Sequence, residues 1–582
     1  MIRKWLIGFA ALMTFMVNMP ALVLAQDAEK MSFQTAEKGV FTNTTELTRP
    51  EGFAAVIDNL HTSKDGVWTD KGYGWELQNA DSFGSQFVEI SEQISRHRGE
   101  CIVMQVDDKV YSYDGTTKTD ITGDAFPAVG HIPCIRTFQN QGGNYAIFCN
   151  DLGEPTWFYD PGGPLYLPPV LGGPEPAPMS GFPVVLGGKT YSKPPFCEGH
   201  YNRVVYAGFE DHPHSLLISS LDDGNYFYRP VTPTATDAGV IECPPQLGDI
   251  TGLCPLRVGN GTNDQILLIG CTKGVGILTG SDSTNFACKE LTRAYGIPNN
   301  RTWVPLGDNV LFIATDGIRR IANSAYGANV VGAPVSYPVQ DLFARINTAA
   351  MDQMWAVNNR SKQEIEFWIP IDSDTQCHNV IVANYRTSTG QDLIFSTKSG
   401  VSGSCGIYIT ASTVGHSTYQ GMWVGGYDGY LQNWWGYVDP AGGVVGPLDY
   451  GGTAIHWKYV SNIIGANSFA QNGSIKKFII VCDGGLQRFN AQAFGYTTNI
   501  DGTSRRNVGD SKAFDYAMAH DSINTWDTGA PSYIQPALFE LNPRGSNRLW
   551  FVMMEGNAGE NTTQTIDLAG IQAIQSLGGL KQ

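Results

Sequence analysis

The sequence predicts an all-β chain, and three observations lead there. Only 16% of its 582 residues are charged, while 25 Tyr, 27 Phe and 13 Trp supply rings suited to pleated faces. Short β-branched and aromatic runs end repeatedly in Asp-Gly, at Asp65-Gly66, Asp114-Gly115, Asp223-Gly224, Asp316-Gly317, Asp428-Gly429, Asp483-Gly484 and Asp501-Gly502. This dipeptide tolerates the positive φ of a type I′ turn, so each copy predicts a tight hairpin. Helical patterns are few: Val339 to Ile346, opened by Pro338, and a C-terminal stretch through Ile566, Leu568, Ile571 and Ile574 that ends at Gly578-Gly579.

At 582 residues the chain is too long for one ordinary domain and, at 42% hydrophobic, apolar enough to bury real cores. Its 67 glycines and 31 prolines suit many short strands and turns. A net charge of −17 argues against a protein that holds nucleic acid by neutralising phosphates, because that needs a surplus of Lys and Arg. It leaves open a protein that nucleic acid passes through.

Residues 1–30 read as a leader. Arg3 and Lys4 precede an apolar run from Trp5 to Ala25, and Val23-Leu24-Ala25 resembles a small-residue cleavage site. An uncleaved anchor is the alternative, weakened by Thr14, Asn18 and Pro20; a start at Met31 is the third. No other stretch is long and apolar enough to cross a bilayer. The 11 cysteines are scattered without a CxxC pair, and most sit in apolar runs, which predicts buried free thiols rather than a disulfide framework or a zinc site.

Short antiparallel strands without helical crossovers leave sandwiches, barrels and propellers as solutions, with no fixed repeat to choose among them. Between 155 and 195 eleven prolines predict a long extended connection rather than sheet.

Chemical motifs mostly fail. Gly187-Gly188-Lys189-Thr190 is the nearest thing to a phosphate loop, but the glycine such a loop requires falls on Pro183, so a turn is expected. His212-Pro213-His214, near His200, Glu210 and Asp211, lacks a matching ligand set elsewhere and reads as a polar loop rather than a metal site. Asp372-Ser373-Asp374 lacks the glycine and distant glutamate of a calcium loop. Ser220-Leu221-Asp222-Asp223-Gly224-Asn225-Tyr226-Phe227 matches one copy of the Asp-box hairpin of sialidase-type propellers, a turn device remote from chemistry. The basic pairs Arg319-Arg320, Lys476-Lys477 and Arg505-Arg506 are candidates for phosphate or partner contact, with solvated strand ends or salt bridges as the plainer reading. No catalytic, cofactor-binding or metal residue is assigned.

A set of blocks in fixed order resembles the tail nozzle and packaged-DNA stabilisation proteins of short-tailed bacteriophages. Thr42-Asn43-Thr44-Thr45, Arg49-Pro50-Glu51-Gly52-Phe53, Asp58-Asn59, Lys64-Asp65-Gly66-Val67 and Lys71-Gly72-Tyr73 look like the opening of those proteins. Asn202-Arg203-Val204-Val205-Tyr206-Ala207-Gly208 follows, then His212-Pro213, Ser219-Ser220 and Gly224. Leu267-Leu268-Ile269-Gly270, Leu278-Thr279-Gly280, Tyr295-Gly296-Ile297 and the stretch from Gly307 to Ile318 complete the set.

The resemblance implies a β-propeller with an added β platform and few helices, acting as a structural virion protein and not an enzyme. It further implies a homo-oligomeric ring, a hexamer by family expectation, that continues the DNA channel below the portal and adaptor. Such a ring retains packaged DNA, docks tail fibres or spikes, and passes double-stranded DNA without sequence-specific binding. No cofactor comes with it, and no membrane in the mature form. The expected division is a leader at 1–30, a platform segment at 31–100, the propeller at 101–440, and a C-terminal β region with a terminal helix at 441–582. Assembly in the host cytoplasm gives residues 1–30 no role in the tail, so the subunit is expected to begin near Met31. The competing expectation is a secreted β-propeller that binds or hydrolyses glycans.

Overall fold

Seven small antiparallel sheets stand around one axis as the blades of a β-propeller. The computed structural model describes residues 29–577 apart from 35–37, 45–48, 51, 63–67, 70–73, 78–81, 91–93, 97–98, 114–117, 121, 123–131, 141–142, 161–176, 179–180, 258–264, 315, 325–326, 331–332, 386–392, 410–420, 436–454, 463, 466–472, 483–487, 497–504, 508–511, 516–536, 542–548 and 559–566. Five four-stranded sheets are separate blades; a sixth belongs to a five-stranded sheet and a seventh is the leading part of an eleven-stranded one. The innermost strands are Phe87–Ile90, Cys134–Asn140, Phe196–His200, Ile250–Arg257, Trp303–Leu306, Trp355–Asn359 and Cys405–Ile409. Each adjoins the next, and the last adjoins the first, so the ring closes.

We number the blades 1 to 7 in that order. Blade 7 is completed from outside its own stretch of chain: its outermost strand is Gly74–Leu77, paired antiparallel to Leu431–Trp435. A ring closed in this way has no gap between first and last blades, because breaking it requires stripping a strand from a sheet.

The second body is built from both ends of the chain. In one sheet Asp567–Leu577 lies between Glu29–Gln34 and Gly473–Cys482. In the other, Val56–Asp58 pairs with Ile455–Val460 and, in parallel, with Ile394–Ser399 of blade 6. Blade 6 and the platform thus share one continuous sheet, and they share a core: Ile365 and Phe367 of blade 6 pack in one cluster with Trp457, Phe478, Phe489 and Val552. Burying such side chains contributes roughly 1.5–3 kcal/mol each. The propeller is therefore an insertion within the platform, docked through a dry interface.

The all-β propeller expectation holds, and several details need correction. The boundary at 100/101 cuts through Gly99–Val106 of blade 1, and the propeller already starts at Gly74. Platform and blade strands carry the same alternating pattern, so no local signal marks the crossing. The terminal helix is instead the strand Asp567–Leu577, with Ile571 opposite both Phe33 and Ile480. The spacing of three between Leu568, Ile571 and Ile574 suits a helix, but pairing on both sides overrides it.

The proline-rich stretch is also more ordered than expected where it is described. Thr156–Asp160 and Ala177–Pro178 form the outer half of blade 2, and Val184–Leu186 with Lys189–Tyr191 makes a separate hairpin. Pro155 stands just before a strand and Pro178 on an edge, where a missing N–H costs no ladder bond. The helix expected after Pro338 is present in short form, as Tyr337–Val339 and Gln340–Phe343. Asp-Gly turns at 316 and 428 join paired strands as expected. Asp223-Gly224 instead lies in the long connection between the third and fourth strands of blade 3, and the Asp-Gly pairs at 65, 114, 483 and 501 lie outside the described residues. All nine cysteines whose side chains are described are free, and all but Cys288 are buried. Residues 1–28 lie outside the described part.

Candidate functional site

The propeller axis holds a cavity of about 560 Å³. Five charged residues line it, among them Arg360 from the turn after the inner strand of blade 6. Glu89 comes from the inner strand of blade 1, Arg136 from blade 2, Glu198 from blade 3, and Arg301 from the segment leading into blade 5.

These groups form two ion pairs across blade boundaries. Arg136 Nε donates to Glu198 Oε2 at 2.8 Å, and Arg301 Nη1 stands 3.5 Å from Glu89 Oε2. Desolvation raises the Glu89 pKa, opposed by the charges of Arg301 and Arg136. Arg301 does more than pair. Its Nη1 donates to the Ser404 carbonyl at 3.0 Å, and its Nη2 to the carbonyls of Asp352 and Gln353 at 3.1 and 3.2 Å. Its own carbonyl accepts from Ala356 N at 2.8 Å. A guanidinium suits this task because its donors are fixed in a planar fork.

The two residues before it extend the same clasp. Asn299 Nδ2 donates to the carbonyls of Met351 and Met354 at 2.8 and 3.0 Å. Asn300 accepts from Leu253 N at 2.8 Å and donates toward Cys134 Sγ at 3.4 Å, reaching blades 4 and 2. Asn299-Asn300-Arg301 therefore ties blades 1, 2, 4, 6 and 7 together at one level of the axis. Sequence reading missed this segment. Its only signal was a polar Asn-Asn-Arg-Thr run directly before Trp303, which any loop could carry.

The tunnel of a single propeller is thus crossed by side chains and cannot pass a double helix. Chemically, the cavity offers two carboxylates, each held by an arginine, beside the indoles of Trp303 and Trp355.

The sequence candidates fall elsewhere. Gly187 and Gly188, with φ of 61° and 77°, form the two-residue turn of a hairpin, and Lys189 pairs with Glu242 at 2.8 Å. His212 packs against Tyr191 and His214 Nδ1 lies 3.1 Å from the Gly248 carbonyl, so the histidines do not converge. Among the described residues no three His, Cys, Asp or Glu side chains are placed to hold a metal ion. Asp372 takes a left-handed turn, φ 60°, and is gripped by Arg345 at 2.7 and 3.0 Å. In the Asp-box stretch Asp223 Oδ1 accepts from Asn225 N at 2.9 Å, a local turn. Arg319 donates to Asp316 at 2.8 Å and lies over the Tyr295 ring at 3.3 Å, an internal role. Lys476-Lys477 and Arg505-Arg506 sit on platform strands.

His200 gives a test of its own. It is buried between the rings of Tyr201 and Phe286, neither ring nitrogen has a partner among the described residues, and burial pushes its pKa down to about 4. A depressed histidine costs nothing above its unfolded value of 6.5 and destabilises as pH falls from there toward 4. The full penalty is about 3 kcal/mol. Urea unfolding at pH 7 and pH 4.5 is expected to show a smaller loss for His200→Phe than for the parent; equal losses would mean that His200 binds its proton in the folded state.

No protein-family model matches the chain, and no curated protein does. Among solved structures it is similar to the crystal structure of Chaetomium thermophilum Raptor, at 10% identity and a TM-score of 0.38, over 64% of this chain and 29% of that one. The chain thus spans less than a third of that protein.

Proposed function

We propose that the chain is a structural virion protein of a short-tailed phage, a ring-forming tail nozzle that continues the DNA channel below portal and adaptor. The observation that carries the reading is the ordered set of sequence blocks from Thr42 to Ile318, together with a propeller inserted in a platform made from both chain ends. Because Arg301, Glu89, Arg136 and Glu198 close the propeller axis, the DNA conduit in this reading is the hole enclosed by several subunits. A charge of −17 per subunit, multiplied around such a ring, repels phosphates from the wall and lets DNA leave quickly. Fibres or spikes would dock on its outside.

Electron microscopy of the purified protein, with light scattering for mass, tests this. A closed homo-oligomeric ring with a central opening is expected, six-fold by the resemblance. A monodisperse monomer at high protein concentration would overturn it. The competing reading, a secreted propeller that binds or hydrolyses glycans, draws on the two carboxylates that share the axial cavity. It requires a hydrolytic activity that Glu89→Gln or Glu198→Gln abolishes while the fold survives.

A further inference from the structure

Two thiols meet where the rims of blades 3 and 4 come together, and neither the conduit reading nor the glycan reading uses them. The outermost strand of blade 3 is Gly239–Glu242 and that of blade 4 is Ala287–Thr292; they adjoin but belong to separate sheets. Cys243 extends the first strand, its N–H donating to the His214 carbonyl at 2.8 Å. Cys288 lies within the second, directly opposite Leu278.

The pleat fixes which way each side chain points. Residues two apart on a strand, or directly opposite across an antiparallel pair, share a face. Ile241, two residues before Cys243 and opposite Leu216, packs with it in the apolar layer between blades 3 and 4, and Leu278 lies in that same layer. Cys243 and Cys288 therefore enter the layer from opposite sides. Flanking contacts hold the two rims together: Gln246 Nε2 donates to Glu290 Oε2 at 3.3 Å, and Ser283 Oγ to the Thr234 carbonyl at 2.5 Å. Gly276 leaves the room that Cys288 needs, since a Cβ there would stand 3.3 Å from Cys288 Sγ and 3.4 Å from Leu247 Cδ1. The two thiols hydrogen-bond to each other, and that bond together with burial raises the pKa of Cys243. Cys243 is 3% exposed, whereas Cys288 is half-buried and open to a small solute.

We propose that Cys243 and Cys288 are a modification site, which hydrogen peroxide converts to a disulfide that staples the rim of blade 3 to that of blade 4. Cys288, as its thiolate, attacks one peroxide oxygen; the O–O bond breaks, an S–O bond forms, and the other oxygen leaves as water with the thiol's proton. Cys243 Sγ then displaces the hydroxyl of this sulfenic acid, and the Cys243 proton leaves with it as a second water. Two thiols give up two electrons, the peroxide accepts them, and the two waters account for every atom. The half-buried thiol suits the first step and the enclosed one the second. Cys271, the third thiol of the layer, is fully buried and pushed by burial to a pKa of about 12, so it takes no part.

The full chain, purified in reduced form, tests this on brief exposure to hydrogen peroxide, followed by alkylation of the remaining thiols in denaturant and tryptic digestion without reductant. Trypsin passes Arg229 because Pro230 follows it, so the expected product links the peptides 204–257 and 274–289 in chains that run as monomers. It is lighter than their sum by two hydrogens, reductant separates it, and fragmentation places the link at Cys243 rather than Cys254. A Cys243→Ala variant, verified as folded by circular dichroism, is expected to stop at the sulfenic acid, which dimedone traps on Cys288. Folded parent protein whose Cys243 and Cys288 both stay alkylatable, under conditions that oxidise free cysteine, would overturn the proposal. So would a link from Cys288 to Cys271, or a folded Cys243→Ala variant with no dimedone adduct at Cys288.

Discussion

Replacing Arg301 with alanine is expected to cost roughly 3–5 kcal/mol, the range for removing one partner of a buried ion pair. The side chain is 11% exposed and Glu89 13%, so water compensates little. The substitution strands the Glu89 carboxylate in the cavity wall and removes the donors that face the carbonyls of Ser404, Asp352 and Gln353. The part-buried Ser404 and Gln353 carbonyls add up to about 1–3 kcal/mol each before relaxation, the exposed Asp352 carbonyl is re-solvated, and Arg136 offsets part of the charge term. Arg301→Lys is expected to recover only a minor part, because an ammonium cannot serve several divergent acceptors at once. Urea denaturation followed by tryptophan fluorescence reads the change, and a loss below about 1 kcal/mol would mean that the clasp is replaceable by water.

Lys398→Met should be similarly damaging. The Nζ to Glu366 contact is fully enclosed, and removing the cation leaves Glu366 and Glu364 beside each other in an apolar layer with Trp368 and Val380. A loss of about 3–5 kcal/mol at neutral pH is expected. The sign with pH follows from the orphaned acid. Burial raises the pKa of Glu364 and the charge of Lys398 opposes that rise, so removing Lys398 leaves Glu364 further above its unfolded value of ~4.3. Its penalty is therefore absent below that value and grows as pH rises. The variant should regain stability on acidification relative to the parent. The pair Lys398→Met with Glu366→Leu should be nearly neutral, since well-packed apolar groups commonly replace a buried ion pair without loss. If the single variant proves as stable as the parent at pH 7, the pair contributes nothing.

How much of this was legible in the sequence depends on how far each interaction reaches along the chain. Hairpins were, because Asp316-Gly317 and Asp428-Gly429 act within a few residues. Buried thiols were too, since Cys271 sits within Leu268-Ile269-Gly270-Cys271. The closing strand Gly74–Leu77 was not, because its partner Leu431–Trp435 lies far off in the chain and its own pattern is that of any short strand. The final strand misled because three-residue spacing fits two periods, and only the strands on either side decide. The axial clasp was invisible for another reason: Asn299, Asn300 and Arg301 act through carbonyls, and a carbonyl leaves no trace in residue type.

The pairing of Glu29–Gln34 with the strand Asp567–Leu577 has a consequence for synthesis. Glu29–Gln34, made early, must wait, edge open, until Asp567–Leu577 has been made. Blades 1 to 6 can close one after another during translation, whereas blade 7 draws on residues made before blade 1. A chain cut short between Trp435 and Asp567 would carry a finished ring of blades above an open sheet edge, the kind of edge that invites pairing between copies.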